Sequence, residues 1–127
     1  LFKRARHVIT ENQRVEAFCS AMEQNEVQKM GALINESHTS LRDDYEVSSD
    51  ELNKIVEIAQ KQPGCFGARM AGAGFGGCAL ALTAANNSQN FEDEVFSAYK
   101  DITGLAPHIF TVSSSDGVHA SKNTSED

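Results

Sequence analysis

Apolar positions recur first at helical spacing and then at strand spacing, and the change of period organises the chain. From about Phe2 to Met22 no glycine or proline interrupts, and Val8, Val15, Phe18 and Met22 share one face of a predicted helix. A second helix is predicted from about Glu26 to Arg42, with a stripe of Val27, Met30, Leu33, Ile34, His38 and Leu41. Ser48-Ser49-Asp50-Glu51 has capping-box spacing, so Ser48 is expected to cap a third helix. The apolar face of that helix is Leu52, Ile55, Val56 and Ala59, and Pro63-Gly64 ends it. Two short apolar segments follow, Cys65 to Met70 and Cys78 to Thr83, with Leu80 and Leu82 on one face. Beyond a polar connection at Asn86 to Asn90, the residues Phe91, Val95, Ala98, Tyr99 and Ile102 mark a fourth helix closed by Gly104. Pro107 precedes an expected last strand, His108 to Val112. Ser113 to Gly117 reads as a turn, and 120–127 as a frayed polar tail.

The order is helices, strand, strand, helix, strand. Its last part is an αββαβ pattern, which is a βαββαβ ferredoxin-like unit without its first strand. The fold class implied is α+β, with helices packed on one face of a small antiparallel sheet. Residues 1–119 form one expected domain. The missing strand, and an opening on Leu1, suggest a piece of a longer protein.

Between the two strand-like segments lies a run of glycines, Gly72-Ala73-Gly74-Phe75-Gly76-Gly77. Glycine accepts positive φ cheaply, and its bare backbone lets a ligand or another chain come close. Successive N–H groups in such a run can point into one concavity that suits phosphate oxygens. A hairpin turn needing unusual dihedrals would explain the same residues. Gly72-x-Gly74-x-x-Gly77 satisfies the letters of a dinucleotide fingerprint. That fingerprint needs a helix directly afterwards, and a β-like Cys-Ala-Leu-Ala-Leu follows instead. No Gly-Lys-Ser/Thr is present for a Walker loop.

Composition narrows the partners. At 127 residues the chain can bury about two-thirds of its unfolded surface. A net charge of -7 argues against nucleic acid or an anionic membrane surface, both of which reward clustered Lys and Arg. It does not exclude a nucleotide, because backbone amides hold phosphate without net positive charge. No apolar run approaches the ~20 residues of a membrane span, and no charged-then-apolar leader marks a secretory signal. Cys19, Cys65 and Cys78 have no CxxC spacing, so each is expected to be a small reduced core residue, which fits the cytoplasm.

Other chemistry is thinner. Arg42-Asp43-Asp44-Tyr45-Glu46 gathers acids that a solvated helix terminus explains better than a metal or acid/base site. His7, His38, His108 and His119 lack zinc-motif spacing, and His38, on an apolar stripe, is expected to be hydrogen-bonded and partly buried. Arg69 could face a phosphate or an acid such as Glu46. No nucleophile elbow is present.

Three blocks carry a family resemblance: Arg4-Ala-Arg-His-Val-Ile-Thr-Glu11, Asn35-Glu-Ser-His-Thr-Ser-Leu-Arg-Asp-Asp-Tyr-Glu-Val-Ser48 and Gly67-Ala-Arg-Met-Ala-Gly-Ala-Gly-Phe-Gly-Gly-Cys78. From about Arg4 to Gly117 the chain resembles the C-terminal domain of the galactokinases, within the GHMP family of small-molecule kinases. The resemblance implies phosphorylation of α-D-galactose at its 1-hydroxyl by ATP with Mg2+. It implies that Gly72, Ala73, Gly74, Phe75, Gly76 and Gly77, the third family motif, line the active site largely through backbone, with Phe75 packing the loop. Ala71 stands where threonine is usual, and Ser49-Asp50 where Cys-Pro is common. The sugar-binding motif, the phosphate loop and the catalytic aspartate with its arginine partner lie upstream in that family and have no counterpart here. No catalytic or metal-binding residue is therefore expected in this chain. Its partners would be galactose, ATP and its own N-terminal domain, and the segment alone would not turn over. A non-catalytic galactokinase-like sugar sensor is an alternative. So is a GHMP kinase for mevalonate or homoserine, which the Arg42 to Ser48 block disfavours.

Overall fold

The computed structural model describes residues 2–46, 48–71 and 78–112. In chain order they form helix α1 (Phe2–Glu23), helix α2 (Val27–Ser40), a π-helical segment (Leu41–Tyr45), helix α3 (Asp50–Gln60), strand β1 (Cys65–Ala71), strand β2 (Cys78–Thr83), a 3-10 turn (Ala85–Asn87) and helix α4 (Ser88–Thr103). The strands pair antiparallel, with Ala68 opposite Ala81, Met70 opposite Ala79 and Ala71 opposite Cys78. The α+β class with helices on a small antiparallel sheet is thus observed.

The core follows from the amphipathicity of α3 and α4. Val56, Ile58 and Ala59 of α3 and Val95 and Tyr99 of α4 close over Ala68 of β1, with Ile55, Cys65, Ala79 and Phe91 packed around them. Burial of these side chains contributes on the order of 2 kcal/mol for each large one. Gly104 closes α4 in the left-handed conformation (φ 75°), its N–H bonded to the Lys100 carbonyl, as the sequence implies.

Several expectations change. Ser49, not Ser48, caps α3: its hydroxyl accepts the Leu52 amide at 3.2 Å. Ser48 instead donates to Asn53 Oδ1 at 2.8 Å. The polar connection at Asn86 to Asn90 is already a 3-10 turn running into α4 at Ser88. Residues 108–112 form no strand among the described residues. Pro107 and Ile109 are half-buried while His108 and Phe110 are exposed, so the alternation is present, but the described sheet consists of β1 and β2 alone. A strand exists only through its ladder, and among the described residues these have no ladder partner.

The apolar face read on α1 is not a core face. Val8, Val15 and Met22 are 55%, 58% and 50% exposed, while His7 and Ala21 are the buried residues. Ile102 of α4 is likewise exposed. The cysteines also depart from the expectation: Cys19 and Cys78 are exposed and only Cys65 is half-buried, all three as free thiols. Burial pushes the Cys65 thiol up from its ordinary pKa, against a weak bond to the Gly67 carbonyl.

Contact between α2 and β1 is close enough to demand glycine on both sides. A Cβ on Gly31 would sit 2.0 Å from the Phe66 carbonyl oxygen, and one on Gly67 would sit 2.2 Å from the Gly31 carbonyl oxygen. Both obstacles are backbone and cannot rotate away. Gly31→Ala and Gly67→Ala should each destabilise the protein by about 3 kcal/mol through overpacking, although alanine is the better helix former at 31. Gly104→Ala, which meets nothing within 4 Å, should cost about 1 kcal/mol for its positive φ alone. Urea melts of the three variants check this order.

Candidate functional site

The predicted glycine run, Gly72 to Gly77, lies outside the described residues. Its frame does not. The ladder is paired up to Ala71 and Cys78, which flank the run on either side.

Helix α2 holds the outer edge of β1, the edge turned away from β2. Asn35 Oδ1 accepts the Ala68 amide at 2.9 Å, and His38 Nδ1 accepts the Met70 amide at 3.1 Å. One helical turn separates Asn35 from His38, and two strand residues separate the amides they receive, so the two periods match across the contact. From α3, Gln60 Nε2 donates to the Ala68 carbonyl at 3.1 Å. Between these ties the Arg69 guanidinium donates to Ser37 Oγ at 2.8 Å and lies 3.4 Å from Glu11 Oε2. Ser37 Oγ donates in turn to Glu11 Oε2 at 2.7 Å. Arg69 therefore meets Glu11 and Ser37, and not Glu46.

His38 is buried, as its place on the stripe implied, and is more enclosed than expected at 2% exposure. A backbone N–H can only donate, so Nδ1 must carry a lone pair and Nε2 the proton, which goes to Asn53 Oδ1 at 3.2 Å. Burial lowers the His38 pKa, with the bond to Asn53 opposing and the charges of Arg42 and Arg69 adding to the depression. At Glu11, burial pushes the carboxyl up. The Ser37 hydroxyl and the Arg14 and Arg69 guanidiniums outweigh it and leave the pKa below the ordinary value.

The acidic block is more than a solvated terminus. The π-helical segment turns Asp44 under α1, where Arg6 grips it through Nε at 3.0 Å and Nη2 at 2.5 Å. That pair holds the Asp44 carboxyl below the usual range. Arg4 bonds Glu46 at 2.8 Å, and Arg42 pairs with Asp43. His7 stacks on Tyr45 with centroids 4.9 Å apart and bonds Ser40 Oγ through Nδ1. These acids are taken up by arginines. Among the described residues no group of three or more His, Cys, Asp or Glu side chains is placed to hold a metal ion. No helix among the described residues is long and apolar enough to cross a membrane.

On the sheet face away from α3 and α4, Leu80, Leu82 and Val112 border an open groove of about 540 Å³ whose other wall is Val15, Phe18, Leu33 and Ile34. Leu80 is 55% exposed there. Leu80 and Leu82 share a face as expected, with Leu82 half-buried and Leu80 exposed.

An α+β domain with a glycine run between two paired strands is the class this geometry defines. Residues 15–101 match the family described as GHMP kinases C terminal, and the chain belongs to that family. More particularly, it is similar to galactokinases. It is 48% identical over 118 residues to the galactokinase of Staphylococcus saprophyticus, covering 93% of this chain and 31% of that protein. To the galactokinase of Enterococcus faecalis it is 45% identical over 117 residues, covering 92% and 30%. The crystal structure of Lactococcus lactis galactokinase complexed with galactose superposes with a TM-score of 0.78 at 48% identity, over 82% of this chain and 27% of that one. The chain thus spans about a third of the length of the relatives it matches.

The sequence points to the glycine run and to a hydrogen-bonded, partly buried His38, but not to the ties that Asn35, Ser37, His38 and Gln60 make to β1. The signal was three polar residues, Asn35, Ser37 and His38, on or beside an otherwise apolar stripe. The His38 ties make stability depend on pH. A buried histidine with a lowered pKa binds its proton more readily when unfolded, so stability rises with pH between the lowered value and about 6.5. Thermal melts should fall as pH drops below about 6.5, and His38→Asn should flatten that part of the profile.

Proposed function

We propose that this chain is the C-terminal part of a galactokinase, acting with the rest of such a kinase to transfer the γ-phosphoryl group of ATP to the 1-hydroxyl of α-D-galactose. What carries the reading is the identity of 48% and TM-score of 0.78 over most of this chain, together with the frame that α2 and α3 build around β1. Galactose comes in because the Lactococcus lactis structure is a complex with that sugar.

In this reading Gly72 to Gly77 lie against the nucleotide phosphates and act through backbone amides. Phosphoryl transfer asks a protein for positioning and charge stabilisation more than for covalent chemistry, and amides held in place supply both. Sugar-binding groups, the catalytic base and Mg2+ belong to the remaining two-thirds of a galactokinase-length chain. The proposed activity is a cytoplasmic one.

A further domain fits the open groove that Val15, Leu80 and Val112 border, each of them more than half exposed. A non-catalytic sugar sensor would use the same surface, and nothing in the described residues favours it.

Replacing the matching segment of the Staphylococcus saprophyticus galactokinase with this chain tests the reading. The chimera should phosphorylate galactose with ATP, and the 127-residue chain alone should not. A folded chimera that binds galactose but releases no ADP would overturn it. In the active chimera Gly74→Val should lower kcat/KM for ATP roughly ten- to hundredfold at an unchanged melting temperature, by keeping the backbone from close approach.

A further inference from the structure

His38 has both ring nitrogens occupied and 2% of its surface exposed, so it has no path to shuttle a proton. Its remaining use is mechanical. Three consecutive residues of β1 are held from α2: Ala68 by Asn35, Arg69 by Ser37 and Met70 by His38. The His38 tie is the last of them, two residues before Gly72, and it passes through Nε2 to Asn53 on α3. Asn53 is itself fixed by the Ser48 hydroxyl. The end of β1 is therefore referenced to two helices at once, while its other edge is bonded to β2.

We infer that His38 is a positioning residue for phosphoryl transfer, acting through its bond to the Met70 amide near the end of β1. This rests on the galactokinase reading above. The bond to Met70 is the part that matters for activity, whereas the bond to Asn53 ties α2 to α3 and serves stability. A positioning error of about 1 Å can cost roughly a hundredfold in rate, so one strand-edge bond is enough to matter.

The two nitrogens can be separated by substitution. Asparagine places its Oδ1 near the position of Nδ1, so His38→Asn can keep the Met70 bond and lose the Asn53 bond. Glutamine reaches toward the Nε2 position, so His38→Gln can keep the Asn53 bond and lose the Met70 bond. In the chimera, kcat, KM for ATP, KM for galactose and melting temperature are measured for both variants and for His38→Ala. The inference expects His38→Asn to keep kcat within about threefold. It expects His38→Gln and His38→Ala to lose tenfold or more in kcat/KM for ATP, with KM for galactose unchanged. Activity that instead follows melting temperature across the three variants, or His38→Gln outperforming His38→Asn, overturns it. An unsubstituted chimera without activity is a different result: it removes the galactokinase reading, and the positioning role with it.

Discussion

The backbone contact between α2 and β1 is the constraint on which the rest of the structure depends. Gly31 and Gly67 let a helix and a strand approach until a side chain on either would strike the other's carbonyl oxygen. That closeness puts the short side chains of Asn35 and His38 within hydrogen-bonding range of β1's outer amides. Unpaired strand amides are costly when buried and invite foreign strands when exposed. Here two side chains one helical turn apart satisfy them.

Charge is organised around the same helix. Arg6 and Arg4 of α1 reach the acids that follow α2, and Glu11 of α1 meets Ser37 of α2 and Arg69 of β1. Exposed pairs such as Arg4 with Glu46 add little stability. The Glu11 cluster is less exposed and ties three elements, so its value lies in fixing α1 against the strand edge. With α3 and α4 forming the core on one sheet face, the opposite face and the outer side of α1 stay open. The domain is thus closed on one side and, among the described residues, open along a groove on the other.

Much of this was legible in the sequence. The four helices, the two strands and the Gly104 cap follow from apolar period and glycine placement, and in α3 the apolar pattern also agrees with the packing. The α1 stripe misled since periodicity reports an apolar face and not what covers it: Val8, Val15 and Met22 have the right spacing and are each half exposed or more. Residues 108–112 misled for a related reason, as alternation predicts an extended chain but a ladder needs a neighbour. The capping box was displaced by one residue because two serines stand side by side, and only geometry separates Ser49, which caps, from Ser48, which holds Asn53. The edge ties were not legible, since they join residues more than thirty positions apart.

Hydrogen exchange at individual amides of the galactose-kinase chimera tests this account most directly. Ala68 and Met70, on the outer edge of β1, should exchange as slowly as the amides of the β1–β2 ladder, because Asn35 and His38 close that edge. Rapid exchange at both, beside a protected ladder, would show that α2 does not hold the strand and would contradict the account.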